Sequence, residues 1–478
     1  MALPERQQVG LILGPLLFFP LLLMPTPEGM DSAAQAVAAI TTLMATWWIC
    51  ETVPMAITAL LPVVLFPLLG VMPTGDVTGA YANQLIFLFL GGFMIAMALQ
   101  KWQMHRRIAL HTLRLVGVER RRIMLGFLLA TALLSMWISN TATALMMLPI
   151  ALAIIANQQQ QDGVADQRFA STLMLAIAWS ASIGGVATLI GSPPNAILAG
   201  FIERMTGTTI GFAQWMGFAL PLTIIMLLLA WLYLRYLMGP GQAGEGSDQR
   251  KLIQEQLLEL GPMRREEKHL LAVFLCVAIG WILPGLVTIP WLDGVGDASI
   301  AIAGALLLFL IPASRGELGE RRFLLDWRSA VALPWDILLL FGGGFALAAG
   351  FESSGMTEWS VSQLGGLHGV PPWLLVVAIT GVVIFLTGVT SNTATATIVL
   401  PIAGALALAM GMPASLLMIP AAIAASYAFM LPVGTPPNAI VFAGGHISVM
   451  HMAKTGLWLN LVATLVVSGF VWFFAPAW

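Results

Sequence analysis

Again and again this chain runs for the length of a membrane crossing with scarcely a charged residue. Such stretches lie at 10–27, 33–50, 52–70, 83–100, 169–200, 213–238, 268–286, 297–312, 333–351, 414–443 and 455–476. A helix that crosses the hydrocarbon core needs about 20 mainly apolar residues. Lipid offers no partner to a backbone N–H or C=O, so each such stretch has to satisfy its own, as a helix does. Only 9% of the residues are charged and 59% are hydrophobic, against about 25% charged in soluble domains. Water is excluded as the solvent of this fold, which is read as an all-α polytopic membrane protein. Arg6, the apolar run Leu11 to Met24 and the small residues near Ala33 to Ala39 also resemble a cleavable secretory signal. The many later spans favour reading that run as the first transmembrane helix. Cys50 and Cys276 lie inside apolar stretches and read as buried thiols, since one such pair makes no disulfide framework.

Two apolar stretches, 123–156 and 372–410, are too long for one ordinary helix, and each is broken near its middle by a polar cluster. A pair of short helices meeting at a polar tip fits them, a re-entrant hairpin that is tolerated where its backbone is buried in protein or lines an aqueous cavity. Sidedness gives independent support. With both hairpins re-entrant and the N-terminus inside, about eleven spans alternate across the membrane. All of the 21 Lys and Arg except Arg204 then fall inside or at the inner boundary, Arg315 and Arg321 among them. That satisfies the positive-inside rule. Reading either long stretch as a full span would reverse everything after it. The expectation is a cytoplasmic N-terminus, a C-terminus on the outer side, and insertion in a bacterial inner membrane.

The chain is also duplicated. Ser139-Asn140-Thr141-Ala142-Thr143-Ala144 recurs 252 residues on (391 minus 139) as Ser391-Asn392-Thr393-Ala394-Thr395-Ala396. Leu148-Pro149-Ile150 and Gly91-Gly92-Phe93 recur at the same offset, as Leu400-Pro401-Ile402 and Gly343-Gly344-Phe345. Gly191-Ser192-Pro193-Pro194-Asn195-Ala196-Ile197 recurs as Gly434-Thr435-Pro436-Pro437-Asn438-Ala439-Ile440, 243 residues on (434 minus 191). The linker after the first hairpin is longer, which accounts for the change. Fixed-offset repetition marks an internal repeat. The base of the first hairpin falls inside and that of the second outside, so the repeats have inverted topology. Inverted repeats with interrupted helices at matching positions mark secondary transporters with a site near the midplane.

The motifs favour an anion held with cations. At each Ser-Asn-Thr tip one short helix ends and another begins. The starting helix presents free N–H groups and a positive dipole end, which suits a carboxylate. The ending helix presents carbonyl oxygens, which together with Ser and Asn oxygens suit a hard cation. Paired prolines in the other motif remove donors and force the helix to unwind. No Arg, Lys, His, Asp or Glu lies in any of the four motifs. Neutral oxygens hold Na+ but not a proton, so co-bound Na+ rather than a proton relay is expected to neutralise the substrate. Ser135 and Thr387, each one helical turn before its tip and matched at offset 252, are candidate cation ligands. Their alternative role is a bond back to their own helix. Glu51 and Asp336 read as interfacial or packing groups. A membrane enzyme is disfavoured because His105, His111, His269, His368, His446 and His451 all fall at loops or membrane edges. A channel would need a continuous pore. No zinc spacing or nucleic-acid module is visible.

The paired Ser-Asn-Thr motifs, the two Pro-Pro-Asn segments and the repeat plan resemble the divalent anion/sodium symporter family, the INDY-type dicarboxylate carriers, along essentially the whole chain. The resemblance implies an elevator-type homodimer carrying a small dicarboxylate with Na+. It implies scaffold helices and a cytoplasmic arm over 1–122, a first half of the transport domain over 123–238, a cytoplasmic linker at 239–267, scaffold helices over 268–371 and a second transport half over 372–478. It implies one Na+ at Ser135, Ser139, Asn140 and Gly191, and another at Thr387, Thr390, Asn392 and Gly434. Substrate would meet Asn140, Thr141, Ser192, Ser391, Asn392, Thr393, Thr435 and Pro436. Members carry succinate, malate or fumarate; others carry citrate or sulfate, and some exchange dicarboxylates without Na+. Arg-rich Lys101 to Arg122 reads as an amphipathic inner-face helix, a hinge arm or a headgroup anchor.

Overall fold

A computed structural model describes residues 5–117, 119–162, 166–239, 246–285, 287, 294–314, 322–364 and 369–476. Arg315, Arg321, His368 and the linker segment 240–245 lie outside them. The described residues are helical throughout, apart from turns and one isolated bridge between Pro312 and Phe323. Ten helices among them are long and apolar enough to cross a membrane. The fold is that of a multi-pass membrane protein.

Each half runs through the same order of elements. In the first half, Glu5–Leu23, Ser32–Cys50 and Gln84–Lys101 are followed by an amphipathic arm, Met104–Val116. Next come the hairpin limbs Arg120–Ser135 and Asn140–Asp162, the interrupted pair Gln167–Val186 and Pro193–Thr206, and the long helix Phe212–Met238. After the linker helix Gly246–Leu260, the second half has Arg265–Ile282, Asp297–Leu310 and Trp335–Ser353. Its hairpin limbs are Pro372–Thr387 and Asn392–Ala409, its interrupted pair Ser415–Ser426 and Pro436–Ala443, and its long helix Val449–Phe474. Both long apolar stretches of the sequence are therefore hairpins that break at the Ser-Asn-Thr clusters, as expected.

One span differs from its sequence reading. Residues 52–70 form not one crossing but two short helices, Met55–Thr58 and Leu61–Leu68. Pro54 sits at the start of the first, Pro62 in the first turn of the second and Pro67 near its end. Each proline withholds an N–H and dictates where a helix can begin, so an apolar run of this composition is cut short. The preceding helix ends at Glu51, which adopts a left-handed backbone (φ 49°). That is uncommon for a residue with a side chain.

The centre of the molecule is the helix Gln167–Val186, buried along its whole membrane window. Its far end unwinds, and the freed carbonyls find side-chain donors. Asn195 Nδ2 donates to the carbonyls of Gly185 (3.1 Å) and Thr188 (2.8 Å), and Trp215 Nε1 donates to Val186 (2.9 Å). In the second half Asn438 Nδ2 donates to Ala428 (2.7 Å) and Leu431 (2.9 Å). Gly185 and Ala428, and likewise Thr188 and Leu431, are related by the same 243-residue offset. The Asn of each Pro-Pro-Asn motif thus splints its own broken helix, at a depth where an unpaired carbonyl costs several kcal/mol (on the order of 2–7).

Candidate functional site

Both hairpin tips and both interrupted helices, the first through Pro193, open onto a single cavity of about 320 Å3. Its wall includes Ser139, Asn140 and Thr141 from the first tip, Thr390, Ser391, Asn392 and Thr393 from the second, and Gly434, Thr435 and Pro436. Residues about 250 positions apart in sequence meet here. Helices begin at Asn140 and Asn392, so two helix N-termini face one space. Among the described residues no Lys, Arg or His lines it.

Behind each tip the chain gathers neutral oxygens. In the first half Ser135 Oγ, fully buried, donates to Asn140 Oδ1 (2.6 Å) and to the Ala181 carbonyl (2.7 Å). Two glycines close the group. A Cβ on Gly191 would lie 2.5 Å from the Gly185 carbonyl oxygen and 2.9 Å from that of Ser135. A Cβ on Gly185 would overlap Asn140 Oδ1 and lie 2.8 Å from the Gly191 carbonyl oxygen. Oxygens of Ser135, Asn140, Gly185 and Gly191 therefore crowd around a space that only glycine leaves open. The second half repeats the plan. Thr387 Oγ1 donates to Asn392 Oδ1 (2.9 Å) and to the Ala425 carbonyl (2.8 Å). A Cβ on Gly434 would lie 3.0 Å from the Gly388 carbonyl oxygen. Thr390 Oγ1 donates to Leu386 O (2.8 Å) and pairs with Thr395 Oγ1 (2.6 Å). Oxygen-only donor sets without a charge fit a hard cation.

The hydroxyls of Ser135 and Thr387 each have partners outside their own helices. Both reach across to the tip asparagine and to a neighbouring helix. Ser139 caps the helix that begins after it, accepting from the Ala142 N–H (3.3 Å). Ser192 is placed behind the wall, fully buried and paired with Ser426 Oγ at 2.8 Å.

The whole chain was compared with known proteins. A family model described as the sodium:sulfate symporter transmembrane region matches residues 6–477. The chain belongs to this family, the divalent anion/sodium symporters. It is 45% identical over 477 residues to a sodium-dependent dicarboxylate transporter, SdcS, of Staphylococcus saprophyticus, covering 98% of this chain and 92% of that one. The Staphylococcus aureus (strain MRSA252) protein of the same name is also 45% identical, with 98% and 91% covered. Among solved structures, the Alcanivorax borkumensis YdaH transporter superposes with a TM-score of 0.60 at 14% identity, covering 99% of this chain and 100% of that one. Neisseria gonorrhoeae MtrF, described as one of a class of antimetabolite efflux pumps, gives 0.54 at 12%, covering 98% and 94%. Those two likenesses are of fold alone.

Within this symporter fold the structure adds residues that the motifs do not announce. Glu51, read from sequence as an interfacial or packing group, lines the cavity and is the only ionisable side chain in its wall among the described residues. Its carboxylate lies 3.9 Å from Arg6, whose guanidinium also donates to the Ile49 carbonyl and to that of Val389 (3.4 Å) in the second tip. The nearby wall residues Val389 and Val433 are 52% and 69% exposed, so the cavity opens on this flank. The first tip is closed by aromatic rings instead. Trp137 lies parallel to Trp281 (6.3 Å) and Phe212 (5.9 Å) and edge-on to Phe274 (5.0 Å). No local pattern flags Trp137 or Glu51, because both contacts join elements far apart in the chain.

Proposed function

We propose that this protein is a Na+-coupled symporter of C4-dicarboxylates such as succinate, malate and fumarate, working as a homodimer in the bacterial plasma membrane by an elevator motion. It catalyses no chemical reaction. The observation that carries the reading is the pairing of two helix N-termini on one cavity, lined by no Lys, Arg or His among the described residues, with an oxygen cradle behind each tip. A dicarboxylate spans two such N-termini, one carboxylate at Asn140 and Thr141, the other at Asn392 and Thr393, with Ser391, Thr435 and Pro436 completing the wall. Helix N-termini supply about half a positive charge each, short of what a dianion needs. Na+ at Ser135, Ser139, Asn140 and Gly191, and at Thr387, Thr390, Asn392 and Gly434, supplies the rest. Because the tip asparagines belong to both sets, cation and substrate stabilise one another, which is the thermodynamic requirement for coupling. The relatives named sodium-dependent dicarboxylate transporters support the same substrate and ion. Ser192 serves from behind, through Ser426.

The helices of each half divide into a moving body (123–238 and 372–478) and a static one (1–122 and 268–371), joined by the linker at 239–267. With the N-terminus cytoplasmic, the flank beside Arg6 and Glu51 is the inner one, and the state is open inward.

The test is uptake of labelled succinate by proteoliposomes under an inward Na+ gradient, with K+ replacing Na+, and with succinate preloaded and no gradient. Gradient-driven uptake abolished by K+ is expected. Uptake only into preloaded vesicles, indifferent to Na+, would leave an exchanger and overturn the proposal.

A further inference from the structure

The arm helix Met104–Val116 and the segments flanking it carry seven cations, and most are matched to an acid. Lys101 pairs with Asp326 (2.6 Å), Arg106 with Glu259 (2.9 Å), Arg120 with Asp166, and Arg122 with Glu119 (3.3 Å). Arg107 is buried against Glu267 (2.6 Å) and also donates to the Gly261 carbonyl (3.0 Å). The Arg106 and Arg107 bonds tie the arm to the linker helix Gly246–Leu260 and to the helix after it. Arg114 is different. Among the described residues it has no ion pair, and the same is true of Arg250 on the linker helix.

Of the arginines without an ion pair among the described residues, Arg114 and Arg250 line adjoining cavities, whereas Arg121 lies outside both. One, of about 580 Å3, is walled by Arg107, His111, Arg114, Gln254 and Leu258 among others. The other, of about 260 Å3, shares Arg114 and Gln254 and adds Arg250. Among the described residues no carboxylate lines either one. A concavity whose described lining has two guanidiniums without an ion pair, a third paired one at Arg107, and an imidazole is a site for a multivalent oxyanion, and guanidinium geometry suits phosphate. Large apolar side chains stand beside these cations. Leu115, next to Arg114, is 86% exposed, and Leu258 in the cavity wall is 79% exposed. A free anion gains nothing from them, whereas a phospholipid places acyl chains there. Both helices border membrane-crossing elements: the arm follows Gln84–Lys101 and the linker helix precedes Arg265–Ile282.

We propose that Arg114 and Arg250, with His111, hold the phosphate headgroup of an anionic phospholipid of the inner leaflet, clamping the arm to the linker between the repeats. The other pairs fix the two helices; this one leaves the charge that the lipid neutralises. Each arginine at a lipid surface strengthens binding about fivefold, equivalent to ~1 kcal/mol.

The experiment is native mass spectrometry of the full chain titrated with phosphatidylglycerol, with phosphatidylcholine, and with phosphatidylglycerol in the presence of inorganic phosphate. The variants are Arg114→Gln, Arg250→Gln, the double variant, and Arg121→Gln, an exposed cation outside both cavities. Phosphatidylglycerol is expected to bind in preference to phosphatidylcholine. The preference should fall about fivefold in each single variant and more in the double variant, but not in Arg121→Gln. Each variant is first checked for parent-like Na+-dependent thermal stabilisation, which shows that it is folded. Unchanged preference in a folded double variant would overturn the proposal. So would displacement of the lipid by millimolar phosphate with the same arginine dependence, which would make the ligand a free anion.

Discussion

The two hairpin tips carry the same six residues, yet their surroundings treat them in opposite ways. At the first tip Trp137 is wedged among Phe212, Phe274 and Trp281. Its counterpart at offset 252 is Val389, half exposed beside Arg6 and Glu51. The cradles differ in the same sense. Gly185 in the first is replaced by Ala428 in the second, and Ile138 by Thr390. Thr395 Oγ1 therefore has a hydroxyl partner, while its counterpart Thr143 Oγ1 is buried with none among the described residues. The six motif residues are the same at both tips. The neighbours decide which tip is locked and which is exposed. From this contrast we expect the second cradle to exchange its ion with the open flank and the first to hold its ion longer.

The largest effect that would break this contrast comes from Gly185→Ala. Its methyl would overlap Asn140 Oδ1 and crowd the Gly191 carbonyl, both backed by buried structure. Na+-driven uptake should be lost, whereas Ala428→Gly in the second cradle should leave uptake within about twofold, since it removes bulk rather than adding it. Equal loss in both would show that the cradles are equally tight. Next comes Trp137→Ala, a large-to-small change among stacked rings, expected to destabilise by ~3 kcal/mol. Val389→Ala, at an exposed site, should cost under ~1 kcal/mol. Thermal unfolding in detergent measures both.

A smaller effect is expected from Ser135→Ala and Thr387→Ala. Each removes a hydroxyl that bonds a tip asparagine and a carbonyl, and each should raise the half-saturating Na+ concentration about tenfold, ~1.4 kcal/mol. Thr387→Ser should be near neutral. The smallest effect lies far from both tips. Lys101 and Ser329 hold the Asp326 carboxyl at about 2, below the usual carboxylate range, with the Lys101 hydrogen bond the leading cause. The folded value lies below the unfolded one, so its contribution is present above the ordinary carboxylate range and is lost as pH falls through about 2. Asp326 is half exposed, so Asp326→Asn should cost less than ~1 kcal/mol at pH 7. The gap in melting temperature between variant and parent should narrow only below about pH 4.

Much of this site was legible in the sequence because its parts are local. A tip cluster, a hydroxyl one turn before it and a proline pair are short patterns, and duplication at a fixed offset said that the two sets belong together. The hairpins followed from their excessive apolar length. What stayed hidden depends on contacts between distant elements. Ser192 sits in the same motif as Gly191, yet Ser426 draws it behind the wall. Glu51 follows an apolar helix and looked peripheral, yet it lines the cavity that the two tips share. Residues 52–70 read as one span by hydropathy, while their prolines cut them into two short helices.

The most direct test of the central claim, that each tip works with a cation cradle behind it, is equilibrium binding of labelled succinate to the purified protein titrated with Na+, with K+ as the control. Binding should require Na+, rise more steeply than first order in Na+, and shift to higher Na+ in both Ser135→Ala and Thr387→Ala. Succinate binding of equal affinity in Na+ and K+, unmoved by either variant, would contradict it.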